Sequence, residues 1–403
     1  MRIATTVVSI LALSACGMNG TDRNKDQTTS QAAAPAQDNS AEMASQDPAN
    51  GQMAQADIPD PDPRPLMQMQ VVLDRQGFGP GVIDGKEGIS TANALKGFQE
   101  AHEIQVSGKS DDATKQLLAQ WNNIPATRVV RIPDSWGQAD YHKVPDGAAA
   151  QAKETTLGYE SLDERLAERF HTTIDVLKQL NPNGQPAGAT ATNANPMPSG
   201  TPTPMATPSP TASATMMAEA SPASTFRAGQ LVRVPNIGAD RIASGTVDDP
   251  KWQQTLVSLG VGTEQPKVAR VVVDKSEGWL KGYDEAGKLV TMFTVTSGSS
   301  HDPLPLGDWK ITGVSKNPPF HYNPDLFWDA KATDQAATLP PGPNGPVGVV
   351  WIDLTKEHYG IHGTSAPESI GRAQSHGCVR LTNWDAARLA GMVSSSTKVL
   401  FQA

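Results

Sequence analysis

The sequence predicts a multidomain α+β protein whose C-terminal domain is mostly β, with a β-sandwich as the expected architecture. Three observations lead to this prediction. At 403 residues the chain is too long for one ordinary domain. Apolar residues recur at helical spacing in the first folded part, whereas from Lys267 onward they form short β-rich runs. Between and before these parts lie stretches rich in Ala, Thr, Pro and Gln, which carry too little apolar surface to fold.

The net charge of the chain indicates which classes of binding partner are not expected. The net charge is −9 and the sequence contains no block of basic residues, which argues against nucleic acid as a partner. A negative surface is compatible with an exported protein that is kept soluble by its charge.

The first sixteen residues have the pattern of an export signal. Arg2 is followed by an apolar run of eleven residues, Ile3 to Leu13, which is too short to span a bilayer. Leu13-Ser14-Ala15-Cys16 then resembles the lipobox of bacterial lipoproteins, in which cleavage precedes the cysteine and its thiol is diacylated. The resemblance implies that residues 1–15 are a lipoprotein signal peptide and that Cys16 is the lipidation site. The alternative is an ordinary secretory signal with an incidental cysteine.

This signal also predicts a location. In a Gram-negative bacterium, Gly17 after the lipidated cysteine would favour sorting to the outer membrane. We therefore expect a periplasmic protein of the cell envelope that is held at the outer membrane by its lipid anchor. Residues 16–65 are rich in Gln, Ala, Asp, Asn, Ser and Pro, and the first aromatic residue of the chain after them is Phe78, so they are predicted to be a disordered tether.

Residues 66–121 are predicted to form a small three-helix domain. A helical pattern ends at the glycine-rich segment 77–81, Ser90 or Thr91 is expected to cap a second helix, and a third begins at about Asp111. The segments GFGPGVIDG, TANALKGFQEAH and SGKSDDATKQLL resemble the peptidoglycan-binding type 1 domain. The resemblance implies binding to the glycan of the cell wall. A three-helix spacer without a ligand is the alternative, because fold alone does not fix function.

Residues 128–236 are predicted to form a LysM-like module. The segments LDERLAERFHTTIDVLKQLNPN and AGQLVRVPN resemble LysM, a strand–helix–helix–strand glycan binder, and Thr173 is expected to cap the second helix. Residues 184–225 form an Ala/Thr/Pro/Met-rich run without aromatic residues and are predicted to be a disordered insertion. A subdomain that only packs against and supports the C-terminal domain is the alternative.

Residues 267–403 are predicted to form the mostly-β domain. Five β-rich runs are separated by Gly, Pro, Asp and Ser, at residues 268–274, 289–297, 309–314, 347–354 and 398–401. Residues 283–288 read as a hairpin loop. One helix, Trp384 to Val393, is expected with Thr382 or Asn383 as its cap.

The candidate site lies just before that helix, in the stretch from Ile361 to Leu381. It contains His362 and, sixteen residues later, Cys378, a separation that suits two adjacent strands joined by a loop. An imidazole within hydrogen-bonding reach lowers the pKa of a thiol and makes it a nucleophile. If Cys16 carries lipid, Cys378 is the sole thiol of the mature chain and cannot form an intramolecular disulfide. A buried, inert cysteine is the alternative.

His-Gly-Thr at 362–364 and Ser-His-Gly-Cys-Val-Arg at 375–380 resemble the signature of the YkuD-type L,D-transpeptidases. The resemblance covers residues 267–403 and includes PLGDWKI at 305–311, which corresponds to a TPTGTFKI-like segment of that family. It implies that Cys378 is the nucleophile, that His362 moves the proton and that the Gly363 carbonyl orients its ring. It also implies an oxyanion and substrate site shaped by Ser375, His376 and Gly377, with Arg380 on a substrate carboxylate.

The resemblance further implies the reaction. Cys378 attacks the carbonyl between residues three and four of a peptidoglycan tetrapeptide stem, D-Ala leaves, and a second stem amine resolves the thioester as a 3→3 cross-link. A lipoprotein lysine or water is another possible acceptor. No metal or other cofactor is expected, and carbapenem-type inhibitors are expected to acylate Cys378. The expected biological roles are cell wall biogenesis and cell shape.

Several alternatives stay open at this point. His376 could be the base instead of His362, because geometry decides such roles. His362, His376 and Cys378 could bind zinc, although a structural zinc site wants four ligands. Arg380 could form only a surface ion pair. His321 and Tyr322 are expected to pack in a loop rather than to line the site, and His358 is expected to be exposed. The chain could instead be an L,D-carboxypeptidase or other hydrolase of the same stems, or a non-catalytic protein anchored to the wall.

Overall fold

The structure is a computed structural model, and it describes residues 53–195, 224–238, 242 and 245–403. The predicted signal peptide, Cys16 and the tether up to residue 52 lie outside the described residues. So does the part of the predicted insertion from residue 196 to residue 223. No helix in the described ranges is long and apolar enough to cross a membrane.

The N-terminal region contains the three expected helices. Asp111 caps the third, because its side chain accepts a hydrogen bond from the backbone N–H of Thr114. The expected cap at Ser90 or Thr91 is wrong: the second helix starts at Ile89, and Thr91 lies within it, where its hydroxyl accepts a hydrogen bond from Gln70 at 3.1 Å. The elements are β1 (Gln55–Ala56), α1 (Pro65–Arg75), β2 (Phe78–Gly79), α2 (Ile89–Ala101) and α3 (Asp112–Leu118).

The middle region has a strand at each end, as predicted, but its described residues form three α-helices between them instead of the predicted two. Thr173 caps the second of its two longer helices, as expected, by accepting a hydrogen bond from the N–H of Val176. The elements are β3 (Thr127–Arg131), α4 (Ala148–Gln151), α5 (Leu162–Arg169), α6 (Ile174–Leu180) and β4 (Leu231–Pro235). Strands β1, β3 and β4 form an antiparallel three-stranded sheet in that order. The identity of the middle region as a LysM-like module, and glycan binding by it, stay predictions.

Two segments predicted to be disordered are partly ordered in the structure. Residues 53–65 of the predicted tether include β1, and Arg233 donates hydrogen bonds to the carbonyls of Ile58 and Pro59 at 2.8 and 2.9 Å. Residues 184–195 of the predicted insertion also pack here, because the Asn195 amide donates to the Leu231 carbonyl at 2.8 Å. In both cases long-range hydrogen bonds order a segment whose own composition is too polar to fold alone.

The C-terminal region is mostly β, as predicted. It contains one helix that sequence reasoning did not predict, α7 (Pro250–Leu259), and the predicted helix α8 (Asn383–Met392), which Thr382 caps. The strands are β5 (Arg270–Asp274), β6 (Trp279–Tyr283), β7 (Leu289–Thr294), β8 (Thr296–Ser297), β9 (Gly307–Lys316), β10 (Phe320–Tyr322), β11 (Ala337–Leu339), β12 (Val350–Leu354), β13 (Gly360–His362), β14 (Val379–Arg380) and β15 (Lys398–Gln402).

These strands form a ten-stranded sheet in the order β2-β7-β6-β5-β15-β9-β12-β13-β14-β8, with β10 and β11 as a separate hairpin. Strand β9 joins two halves: its first residues pair with β15 and its later residues with β12. One edge strand, β2, comes from the N-terminal region and pairs with β7 in parallel. The sheet therefore extends across the boundary between two regions that the sequence separates.

The buried apolar residues also cross those boundaries. Leu73, Phe78 and Phe98 of the N-terminal region pack with Trp279 and Met292 of the C-terminal sheet. Met67, Val71 and Ile83 of the N-terminal region belong to the core of the middle region. The C-terminal region thus has a core of its own, and two shared clusters join the N-terminal region to the other two regions by burial of apolar area.

Candidate active site

The motif of the C-terminal region lies on two neighbouring strands. Strands β13 and β14 pair in parallel, with Ile361 opposite Val379 and His362 opposite Arg380. Ile361 and Val379 are fully buried and anchor both strands in the core. Cys378 directly precedes β14. Parallel pairing therefore brings His362 and Cys378, sixteen positions apart in sequence, onto two adjacent strands, with His362 at the end of β13 and Cys378 just before the start of β14.

His362 is buried, with 5% of its surface exposed, and its ring is held from two sides. Its Nδ1 lies 2.7 Å from the carbonyl oxygen of Gly363, and its ring stacks on Trp351 with a centroid distance of 5.5 Å. Since a carbonyl oxygen only accepts, Nδ1 carries the proton and Nε2 has the free lone pair. Burial lowers the pKa of His362 to about 4, and the positive charge of Arg380 acts in the same direction. The imidazole is therefore neutral near pH 7.

Cys378 is half-buried and is the free cysteine of the described residues. Its Sγ lies 3.8 Å from the carbonyl oxygen of His358, whose own side chain is exposed as expected. Burial raises the pKa of the Cys378 thiol, against the lowering effects of a backbone hydrogen bond at Gly360 and of Arg380. The resting thiol is therefore protonated, and its attack needs a base.

The loop before Cys378 is fixed by Ser375 and Gly377. The Ser375 hydroxyl donates to the Cys378 carbonyl at 2.6 Å and accepts from the N–H of Gly298 at 2.6 Å. Gly377 has a φ of +93°, and a Cβ there would lie 2.6 Å from the Tyr359 ring. The structure thus places Ser375, which is buried, as a brace for the loop, and Gly377 at a position that only glycine fits without strain.

His376 lies on the same loop but is held differently from His362. Its Nε2 is 2.9 Å from the Asp329 carboxylate, and its ring packs edge-on against Phe327. The His376 ring is thus tied to the segment that follows β10, while the free Nε2 of His362 is available for a proton. This geometry favours His362 as the base. Within the described residues, no group of three or more His, Cys, Asp or Glu side chains is arranged to hold a metal ion.

A cavity of about 800 Å³ opens over these residues. Its lining combines cationic, anionic and aromatic side chains, so it can hold a ligand that carries both charges. His321 and Tyr322 line it, although they were not expected to, and Tyr322 also makes the expected loop contact by stacking on Phe327. Helix α4 of the middle region forms part of the cavity wall. Its lining includes Cys378, His362, His376, Arg380, Lys331, Lys356, Asp302, Asp334, Trp351 and Gln151.

Some site residues were missed by sequence reasoning. Asp329 contacts His376, and Trp351 stacks on His362. Tyr359 lies against Gly377. Nothing in the local sequence pattern marks these three residues as part of the site. Trp351 lies in a β-rich run that was predicted, so its strand was foreseeable but its contact was not. Asp329 and Tyr359 are brought to the site only by the loops that carry them.

A second cavity, of about 980 Å³, lies on the N-terminal region and away from Cys378. It is lined by the three helices and the residues around them, including Leu66, Met69, Leu95, Lys109 and Trp121. Its lining combines apolar side chains with an aromatic ring and two lysines, Lys109 and Lys115.

Comparison with protein families identifies two parts of the chain. Residues 268–400 match the YkuD family model, described as "L,D-transpeptidase catalytic domain". Residues 65–118 match the PG_binding_1 model, described as "Putative peptidoglycan binding domain".

Curated relatives carry similar names. The chain is 28% identical over 175 residues to "Putative L,D-transpeptidase YkuD" of Bacillus licheniformis, an alignment that covers 43% of this chain and 86% of that protein. It is 53% identical over 57 residues to the protein of the same name from Bacillus subtilis, covering 14% of this chain and 35% of that protein. It is 29% identical over 135 residues to "Probable L,D-transpeptidase YbiS" of Escherichia coli, covering 32% of this chain and 44% of that protein.

Solved structures of L,D-transpeptidases are also similar at low identity. The Mycobacterium smegmatis enzyme is 20% identical, with a TM-score of 0.27 and coverage of 33% of this chain and 58% of that chain. The catalytic domain of the Enterococcus faecium enzyme is 19% identical, with a TM-score of 0.26 and coverage of 34% and 98%. Mycobacterium tuberculosis L,D-transpeptidase 3, solved with a faropenem-derived adduct, is 16% identical, with a TM-score of 0.28 and coverage of 44% and 75%.

Proposed function

Residues 268–400 of this chain are an L,D-transpeptidase catalytic domain, and we propose that it forms 3→3 cross-links in peptidoglycan through a thioester on Cys378. The observation that carries the proposal is the hydrogen bond from His362 Nδ1 to the Gly363 carbonyl, which leaves Nε2 free in the cavity that Cys378 also lines.

The first step forms the acyl-enzyme. Cys378 Sγ bonds to the carbonyl carbon between residues three and four of a tetrapeptide stem, and the thiol proton moves to His362 Nε2. Because the thiol pKa is raised and the imidazole is neutral, proton transfer accompanies the attack instead of preceding it. Backbone amides near Gly377 and Cys378 stabilise the oxyanion. The C–N bond then breaks, His362 returns the proton to the leaving D-Ala amine, and a thioester remains.

The second step transfers the acyl group. An amine of another stem attacks the thioester, His362 takes its proton, and the thiolate of Cys378 leaves and is reprotonated. The bond energy of the cleaved peptide is kept in the thioester, so the reaction needs no nucleotide. Water or a lipoprotein lysine in place of the amine gives hydrolysis or protein attachment by the same chemistry.

The cavity lining suits a stem with free carboxylates and a free amine. Arg380, Lys331 and Lys356 can pair with carboxylates, while Asp302 and Asp334 can pair with an amine. Arg380 lies on β14 two residues after Cys378 and lines the same cavity, which supports its predicted role on a substrate carboxylate.

We also propose that the regions before the catalytic domain hold the enzyme at the wall. The 980 Å³ cavity of the N-terminal region is the candidate glycan site, and the LysM-like middle region is a second candidate. Both matched families act on cell-wall polymer, so the chain works in the cell envelope. Binding to purified sacculi should fall when Trp121 is changed to Ala; unchanged binding would argue against this site.

The lipobox-like sequence at Cys16 supports a lipid anchor in the outer membrane of a Gram-negative bacterium. Metabolic labelling with a radioactive fatty acid should mark the wild-type chain and not Cys16→Ala. Equal labelling of both chains would reject the anchor.

The central experiment compares the wild type with Cys378→Ala on disaccharide-tetrapeptides, with products identified by mass spectrometry. The wild type is expected to give 3→3 linked dimers and D-Ala, and Cys378→Ala neither. Dimers made by Cys378→Ala would refute the thioester. Free tripeptides without dimers would instead identify an L,D-carboxypeptidase, and a wild type that binds wall but releases no D-Ala would identify a non-catalytic anchor.

A further inference from the structure

Glu168 is a carboxyl group of the middle region that is buried against the catalytic domain. It lies on α5, and 6% of its surface is exposed. One of its oxygens accepts a hydrogen bond from the Asn383 amide at 2.8 Å, and the other accepts from the Tyr159 hydroxyl at 2.9 Å. Burial raises the pKa of Glu168 to about 8, and the nearby carboxyl groups of Glu164 and Glu368 raise it further. It is therefore held uncharged near pH 7.

Asn383, the partner of Glu168, is the first residue of α8 and is fully buried. Its amide nitrogen also donates to the Pro343 carbonyl at 3.1 Å, and its amide oxygen lies 3.3 Å from the N–H of Val349. These contacts fix both ends of the amide. Glu168 supplies the strongest of them by distance, so the orientation of Asn383 depends on the middle region.

The Asn383 side chain lies directly beside Gly363. A Cβ on Gly363 would overlap the Asn383 amide oxygen, so there is no space between them for even a methyl group. The Gly363 carbonyl is the acceptor for His362 Nδ1. Asn383 therefore limits where the Gly363 peptide can lie, and that peptide in turn sets the tautomer and direction of the His362 ring.

We propose that Glu168 is a positioning residue for the reaction: through Asn383 and Gly363, the middle region holds the His362 imidazole in its base-competent orientation. The expected effect on kcat rests on the proposed function. The expected effect on the orientation of the His362 ring does not. This positioning role gives the LysM-like region a catalytic purpose that is independent of glycan binding. A small displacement of a catalytic base can lower the rate on the order of a hundredfold, so a residue that does not touch the substrate can still affect the rate by positioning the base.

The test replaces Glu168 by Leu, which keeps the bulk and removes the acceptor, and by Gln, which keeps an acceptor for Asn383. The primary measurement is the titration of the His362 ring by ¹⁵N NMR, assigned with a His362→Gln variant. In Glu168→Leu the His362 pKa should rise from about 4 toward 6.5 by about one pH unit, as the ring loosens and gains water. In Glu168→Gln it should stay at the wild-type value. In kinetics, Glu168→Leu should lower kcat about tenfold with little change in KM.

Arg380 is the charged group whose field acts on His362, and it is unchanged in these variants. The matched control is Ser258→Ala, which removes the hydrogen bond at 3.0 Å from Arg165 of the same helix α5. It should leave both the titration and kcat unchanged. If Glu168→Leu does not fold, Tyr159→Phe removes one anchor of Glu168 and should move the His362 pKa in the same direction.

A His362 titration that is identical in wild type and Glu168→Leu would overturn the positioning role, as would an equal change in Ser258→Ala. If the wild type has the low His362 pKa but makes no cross-linked product, the proposed reaction is contradicted. The NMR comparison of wild type with Glu168→Leu still tests the positioning role of Glu168 in that case.

Discussion

Asp74 and Glu168 are two buried carboxyl groups that reach the same helix, α8, from outside the C-terminal domain. Asp74, on α1, accepts hydrogen bonds from Arg388 at 2.8 and 3.0 Å and lies 3.2 Å from His171 Nδ1. Glu168, on α5, faces the Asn383 amide and the Tyr159 hydroxyl. We call Asp74, His171 and Arg388 the charged junction, and Tyr159, Glu168 and Asn383 the neutral junction.

The two junctions have opposite protonation states at similar burial. Burial alone would raise the pKa of Asp74, but the positive charges of Arg388 and His171 outweigh it and lower that pKa below its ordinary value. At Glu168 no cation is among its partners, so burial prevails and the pKa rises to about 8. The charge of the partners, and not depth in the protein, decides whether a buried carboxyl group is ionised.

His171 of the charged junction has a partner at each ring nitrogen and on its ring face. Its Nδ1 faces the Asp74 carboxylate, and its Nε2 lies 2.8 Å from the Leu259 carbonyl oxygen, so both ring nitrogens meet acceptors. Its ring stacks on Trp384 with a centroid distance of 4.8 Å. These contacts fix the position of the His171 ring beside Asp74 and α8. One residue from each of the three regions therefore meets in a single buried ion cluster.

The largest expected effect is at the charged junction. Asp74→Asn removes the anion and leaves Arg388 and His171 buried without it, which should destabilise the protein by about 3–5 kcal/mol. Urea unfolding at pH 7 measures this free energy.

The control is Glu100→Gln, which removes the more exposed ion pair between Glu100 and Lys281 at 2.6 Å. That change should cost less than about 1 kcal/mol. Equal unfolding midpoints for Asp74→Asn and wild type would show that the charged junction contributes nothing net.

A smaller effect is expected at the neutral junction. Asn383→Ala leaves the acceptor of Glu168 and the N–H of Val349 without their partner, at a cost of about 1–3 kcal/mol, because no full charge is stranded. Thermal unfolding of this variant beside Asp74→Asn tests the order. A loss that equals or exceeds that of Asp74→Asn would contradict the distinction between the junctions.

The smallest expected effect is the change with pH of the unfolding free energy of Glu168→Gln relative to wild type. The folded-state pKa of about 8 lies above the ordinary value of 4.5, so the folded wild type binds the extra proton between these values. The stabilisation from neutral Glu168 is therefore full below pH 4.5 and is lost as the pH rises through about 8.

Glu168→Gln cannot ionise, so its unfolding free energy relative to wild type should increase steadily from pH 5 to pH 8.5. At pH 5 the two proteins should differ by no more than about 1 kcal/mol. A difference that is independent of pH would mean that Glu168 has an ordinary pKa in the folded protein.

Much of the fold followed from local pattern. Thr173 and Thr382 cap helices as predicted, and the third helix begins beside Asp111 as expected, since the start of a helix depends on a few neighbouring residues. The loop at residues 283–288 and the strand after it, β7, were also correct, whereas the strand before it, β6, was not among the predicted runs. The cap at Ser90 or Thr91 and the disorder of residues 53–65 were wrong, because long-range contacts decided both.

For the candidate site, too, some features could be predicted from the sequence and others depended on the tertiary structure. The sequence by itself predicted which groups would carry the chemistry, because Cys378, His362 and the glycines around them form a motif typical of a thiol nucleophile with an imidazole base. Only the tertiary structure decided which nitrogen of His362 is free, that His376 is held by Asp329, and that Asp74 is ionised while Glu168 is not. The two protonation states depend on desolvation and on partners up to 314 residues away along the chain, and Asp329 is 47 residues from His376, so no local pattern in the sequence encodes these contacts.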